Sequence, residues 1–267
     1  MEIYISSIQP YLEPSGALTY LDLVDFDLLP KSRQEKIKNF VRRSDKARAL
    51  VAGLLLRKIC HVTEDEHLTL GPQGKPYLKN HGKSDGLFFN LSHSGKYVVL
   101  VTAQREVGID IEEMVFENRE QPNSHTLRKV GIELKEMMPY SEKVARAVLT
   151  PEELKWLKEQ NSAEAFYRLW TAKESVMKAF GLGFSLPPES FSVLPMDESP
   201  HLIMGRKCYL KWQNYEGHMI CTTVLDEEEK LENFLLDDLL TSNFSGLYSQ
   251  ATFKYPCSRL PKSMSHC

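Results

Sequence analysis

The chain has 267 residues, 42% of them hydrophobic, enough apolar material to build a real core in one large domain or two small ones. A formal net charge of -3 supplies no field that would draw nucleic acid or an anionic membrane, so phosphate recognition has to be local. The five cysteines (Cys60, Cys208, Cys221, Cys257, Cys267) are widely spaced and never form C-x-x-C, which argues against a disulfide framework and a zinc site; with no basic-then-apolar leader and no apolar window near ~18 residues, the expectation is a soluble, cytoplasmic protein.

In chain order, "EIYIS" alternates in polarity and predicts a strand. A helix is expected from Ser32, whose spacing to Glu35 has the form of a capping box, with Ile37, Phe40 and Val41 as its apolar residues. Ser44 restarts the pattern as a second helix that turns Leu50, Val51, Leu54, Leu55 and Ile59 towards a core. The Gly- and Pro-dense stretch "TLGPQGKPYLKNHGKSDG" reads as a loop, "LFFNLSHSGKYVVLVTA" as strand, tight turn and strand, and "REVGIDIEEM" as a further strand. Between Val115 and Pro139 a hydrophilic segment predicts an irregular insertion around a short amphipathic helix. Thr150, Pro151 and Glu153 mark a helix start as N-cap, N1 and N3. A longer helix follows from about Ser162, with Phe166, Leu169, Trp170, Val176, Met177 and Phe180 inward and Gly181 as its stop. "HLIMG", "KCYLKWQ" and "HMICTTV" are three strand candidates, and the tail from about Ser242 lacks periodicity. The order strand, helices, strands thus occurs twice without a residue-level repeat.

Three groups of residues could carry chemistry. In "VGIDIEE" Asp110 and Glu112 share one face while Ile109 and Ile111 face the core. Carboxylates some ~4 Å apart repel by roughly 4 kcal/mol at an effective dielectric of ~20, a cost relieved by solvent on an open face or by a cation such as Mg²⁺ in a cleft. In "LWTAKESVMKAFG", Trp170, Glu174 and Lys178 lie at i, i+4 and i+8 on one helix face with Lys173 beside it; the pair is either a surface salt bridge or a third carboxylate with a phosphate-binding ammonium. In "FNLSHSG", Asn90, Ser92, His93, Ser94 and Gly95 gather small donors, fitting either hairpin-turn chemistry or anion binding; Lys75, Arg33, Lys36 and Arg48 are further cations.

Taken in order, "GKPYL", "FNLSHSG", "VGIDIE" and "FYRLWTAKESVMKAFGLG" closely resemble the motifs of the Sfp-type 4′-phosphopantetheinyl transferases, over roughly residues 1 to 225. The resemblance implies transfer of the phosphopantetheine arm of coenzyme A to a serine of an apo acyl or peptidyl carrier protein, releasing adenosine 3′,5′-bisphosphate, with Mg²⁺ as cofactor. It implies that Asp110, Glu112 and Glu174 bind the metal, that Glu174 is also the general base, and that Lys178 holds the pyrophosphate. His93, Ser92, Arg48, Arg33 and Lys36 would hold the 3′-phosphate, Lys75 and its neighbours would line the adenosine pocket, and Lys173, at a further motif position, would be another coenzyme A contact.

The implied fold is α+β, two similar halves on a pseudo-twofold axis with the active site in the cleft between them, in a monomer. The halves are placed at residues 1–105 and 106–240, with an irregular tail at 241–267. Two segments depart from the pattern: Met114 to about Pro139, longer than expected where carrier proteins are contacted, and the tail after about Leu240. Rival readings are a coenzyme A or nucleotide-binding module without turnover, and an Mg²⁺-dependent phosphohydrolase acting on the same anhydride.

Overall fold

The computed structural model describes residues 1–12, 26–79, 86–114, 141–197 and 199–235. Strand β1 (Glu2–Ser7) forms where its alternation predicts, with Ile3 and Ile5 entering one apolar layer and Tyr4 packing against another. Helix α1 (Lys31–Asn39) corrects the expected capping box: Pro30 is the N-cap, no side chain caps it, and the Ser32 hydroxyl donates to Asp65 instead. The proline ring presets the backbone at the helix entry, so Ser32 falls inside the first turn. Helix α2 (Arg43–Cys60) buries Leu50, Val51, Leu54 and Leu55 against Phe89, Val98 and Leu100.

The expected Gly/Pro loop is not all loop. It contains a small antiparallel hairpin, β2 (Leu68–Leu70) and β3 (Pro76–Leu78), turning at Gly74 with φ +81°. Turn residues dominate that stretch because each strand is only three residues long. Strands β4 (Phe88–Ser94) and β5 (Tyr97–Ala103) then pair antiparallel around Gly95.

The second unit opens with β6 (Val107–Glu113). Helix α3 (Glu142–Val148), which the sequence reading missed, is capped by Ser141 and precedes α4 (Pro151–Gln160), whose Thr150–Glu153 capping box is present as expected. Helix α5 (Ala163–Phe180) starts at the Ser162 cap and stops at Gly181, φ +68°. Strands β7 (His201–Ile203), β8 (Arg206–Tyr215) and β9 (His218–Leu225) follow as predicted. Strand β10 (Glu232–Leu235) was not predicted; it crosses back to pair parallel with β1. The insertion expected over 115–139 and the tail expected from 241 lie outside the described residues.

The double order of elements is a repeat of topology. One sheet runs β10-β1-β5-β4 and the other β6-β9-β8-β7, so in each unit the opening strand pairs with the last strand of a later hairpin. The chain is therefore α+β in two halves. Helix α2 covers the outer face of the first sheet and α5 that of the second. Between the sheets, Ile3, Ile5, Val99 and Val101 meet Ile109, Ile111, Ile220 and Val224 in one shared apolar layer. Burial of such side chains contributes roughly 1.5–3 kcal/mol each, which makes the junction of the halves part of the core.

Candidate active site

Strand β4 is an edge of the first sheet and β6 an edge of the second. They are joined by side-chain rungs from alternate residues of β4. Asn90 Oδ1 accepts from Ile109 N (3.0 Å), Ser92 Oγ donates to Asp110 Oδ1 (2.9 Å), and Ser94 Oγ donates to Glu112 Oε2 (3.0 Å) while accepting from Glu113 N (3.0 Å). The "FNLSHSG" donors thus form the seam between the halves as well as approaching a turn. A period-2 reading of Asn90, Ser92 and Ser94 was available in the sequence and would have found it.

The face of β6 that carries Gly108, Asp110 and Glu112 lies under α5, and is not the solvated outer face that one reading of D-x-E allowed. A Cβ on Gly108 would stand 2.0 Å from Ser175 O, so glycine is what lets the strand and helix backbones meet. That approach brings Lys178 Nζ within 2.5 Å of Asp110 Oδ1 and 3.1 Å of Ser92 Oγ, with Glu174 Oε2 3.9 Å away. Trp170 packs in the α5 core on the helix face that also carries Glu174 and Lys178. The expected face of Trp170, Glu174 and Lys178 is therefore the one that meets the D-x-E carboxylates.

Burial, then the neighbouring Asp110 charge, pushes the Glu112 carboxyl up to about 8 against the pull of Ser94, Lys178 and Trp170. Burial works against the Lys178 charge, but Asp110, Glu174 and Glu112 together outweigh it and hold its pKa above the usual lysine value. On the α2 side of β4, His93 keeps an edge open to solvent; desolvation by the surrounding protein and then the Arg48 and Lys178 cations favour its neutral ring. Arg48 grips the turn, donating to Gly95 O through Nε (3.1 Å) and Nη2 (2.8 Å), with Asp45 on Nη1 (2.9 Å).

Other predicted residues stand elsewhere. Lys173 does not reach the cleft: its side chain is 0% exposed, paired at 2.6 Å with the equally buried Glu153, and it donates to Pro188 O and Phe191 O. Glu153 also accepts from Val193 N and Thr150 N, so the pair ties α5 to the start of α4 and the 188–193 segment. Lys173 is thus corrected from a cofactor contact to a core ion pair; one helical step of about 100° from Glu174 puts it on another face.

The Lys75 ammonium is likewise buried, donating to Val107 O (3.0 Å) and Ala179 O (2.9 Å), and burial lowers its pKa to about 8. It fixes the β2–β3 hairpin to β6 and the end of α5. Arg33 and Lys36 lie on α1 with each other and Asp65 as charged neighbours, and burial lowers the pKa of both.

Asp110, Glu112 and Glu174 offer oxygen donors, the set that suits a hard divalent cation. Asp110 Oδ2 is buried without a hydrogen-bond partner, and the crowding that raises Glu112 is what a cation would relieve. Among the described residues, no three His, Cys, Asp or Glu side chains already surround one point. Lys178 supplies the positive charge beside Asp110.

The chain is similar to known proteins over both halves. The family model for the 4′-phosphopantetheinyl transferase superfamily matches residues 106–224, and that for the 4′-phosphopantetheinyl transferase N-terminal region matches 21–105. The chain is 28% identical over 210 residues to a 4′-phosphopantetheinyl transferase of Bacillus subtilis, covering 74% of this chain and 78% of that protein. It is 28% identical to 4′-phosphopantetheinyl transferase Sfp of Bacillus subtilis strain 168, over 67% of this chain and 74% of the relative. With the L-aminoadipate-semialdehyde dehydrogenase-phosphopantetheinyl transferase of Mus musculus it shares 29% identity, over 66% of this chain and 57% of that protein. The two family matches, which together span residues 21–224, and these relatives place the chain in the 4′-phosphopantetheinyl transferase superfamily.

Proposed function

We propose that this protein transfers the 4′-phosphopantetheine arm of coenzyme A to a serine hydroxyl of an apo acyl or peptidyl carrier protein and releases adenosine 3′,5′-bisphosphate. The observation that carries the reading is the knot of Ser92, Asp110 and Lys178 where the two halves meet, with Glu112 and Glu174 beside it. Residues 1–105 would supply the 3′-phosphate side through Arg48, His93 and Ser92, with Arg33 and Lys36 reached along α1. Residues 106–240 would supply the carboxylates and Lys178. The Lys75 ammonium is held by two carbonyls, so the hairpin would line the adenosine side through its backbone and the Lys75 stem.

Asp110, Glu112 and Glu174 would hold Mg²⁺, which when bound neutralises charge on the pyrophosphate. Lys178 faces the same pyrophosphate and stabilises the charge that grows on the leaving oxygen. A Glu174 carboxylate oxygen accepts the proton of the incoming serine, directly or through one water, as the serine oxygen bonds to the phosphorus bearing the pantetheine arm. The bond from that phosphorus to the bridging oxygen breaks, and the nucleotide leaves with the electron pair. The protein would work as a cytoplasmic monomer.

Chromatographic release of adenosine 3′,5′-bisphosphate from coenzyme A tests the reaction class. Release that requires an apo carrier is the expected result. Release at the same rate without a carrier would make the protein a phosphohydrolase, and none with any carrier would leave a binding module.

A further inference from the structure

We propose that Ser94 is a positioning residue that sets the Glu112 carboxylate for cation binding. The ligand set above does not include it, and the inference rests on the reading of Glu112 as a metal ligand. A serine hydroxyl has one proton and two lone pairs. Ser94 uses a lone pair on Glu113 N and its proton on Glu112 Oε2, each at 3.0 Å. Accepting the backbone N–H orients the hydroxyl, so its proton points at the neighbouring carboxylate.

The arrangement also explains why the residue is on β4. The edges of the two sheets meet here through side chains, and each even position does a separate task. Asn90 takes the Ile109 N–H, Ser92 sits between Asp110 and Lys178, and Ser94 reaches Glu112. The half that would bind the nucleotide thereby fixes a carboxylate of the other half. Groups that orient a ligand in this way commonly change metal affinity by about 10- to 100-fold when removed.

The test is Mn²⁺ binding followed by electron paramagnetic resonance, on parent, Ser94→Ala, Ser94→Cys and Ser94→Thr, with coenzyme A at one fixed concentration and no carrier present. Denaturation midpoints are measured alongside. Ser94→Cys preserves the shape with a weaker donor and keeps the inference testable where Ser94→Ala does not fold. The expected result is a Kd for Mn²⁺ raised about tenfold in Ser94→Ala and Ser94→Cys, with Ser94→Thr close to the parent. A folded Ser94→Cys that binds like the parent, or a Ser94→Thr as weak as Ser94→Ala, overturns the inference. A parent protein that takes up no Mn²⁺ overturns the metal reading of Glu112 itself, and the role of Ser94 with it.

Discussion

Gly108→Ala probes the contact on which the whole site depends. The added Cβ would stand 2.0 Å from Ser175 O and 2.4 Å from Ala179 N, both backbone atoms of α5. Real Cβ contacts stay above 3.0 Å, so β6 and α5 must part by about 1 Å, and no side-chain rotation can relieve the clash. Overpacking costs typically 1–3 kcal/mol, and backbone meeting backbone belongs at the upper end, so about 3 kcal/mol of stability should be lost. The same movement separates Lys178 from Asp110, now 2.5 Å apart, and a displacement of about 1 Å can cost 10²-fold in rate. Denaturant unfolding and turnover at saturating coenzyme A and carrier measure the two effects. A variant within about 0.5 kcal/mol of the parent and with unchanged turnover would refute the claim that close backbone approach builds the site.

Glu174→Gln is expected to abolish transfer while leaving the unfolding midpoint unchanged; a parental rate would remove Glu174 from the role of base. Lys178→Ala should raise the KM for coenzyme A by at least about tenfold, the order of one lost charge-assisted hydrogen bond, and a normal KM with normal turnover would contradict its assignment to the pyrophosphate. Lys173→Met strands Glu153 as an uncompensated buried charge, and removing one partner of such a pair typically costs about 3–5 kcal/mol; urea unfolding near the parental midpoint would show that the pair does not hold α4 to α5. Glu112 gives a pH dependence of definite sign. Its folded pKa, about 8, lies above the ordinary glutamate value, so its contribution to the metal-free protein is full below about 4.5 and is lost as pH rises through 8. In EDTA, Glu112→Gln should therefore be more stable than the parent at pH 9 and the difference should shrink towards pH 5; parallel pH profiles would refute the burial argument.

Much of the fold was legible because the decisive signals are local. Thr150, Pro151 and Glu153 announce α4, and Gly181 ends α5, through backbone chemistry that acts within one turn. The alternation of Ile109 and Ile111 with Asp110 and Glu112 showed which face of β6 enters the core. What escaped was set by distant partners. The four residues of β10 follow a run of acids and are a strand only because β1 offers them an edge. Lys173 and Glu174 are neighbours in sequence, yet one closes a core ion pair with Glu153 and the other faces Lys178. Lys75 reads as a loop cation until Val107 O and Ala179 O come within reach of it. Charge type is written in the residue, whereas the partner that uses it is supplied by the fold.

The proposed role of the seam residues, moving a phosphopantetheine arm, can be read on the carrier itself. Intact-protein mass spectrometry of apo carrier proteins, after incubation with this protein, coenzyme A and Mg²⁺, tests it most directly when run beside an EDTA control. The expected result is a gain equal to one phosphopantetheine arm on at least one carrier, abolished by EDTA. Unmodified carriers across the panel, from a protein shown to bind coenzyme A, would contradict it.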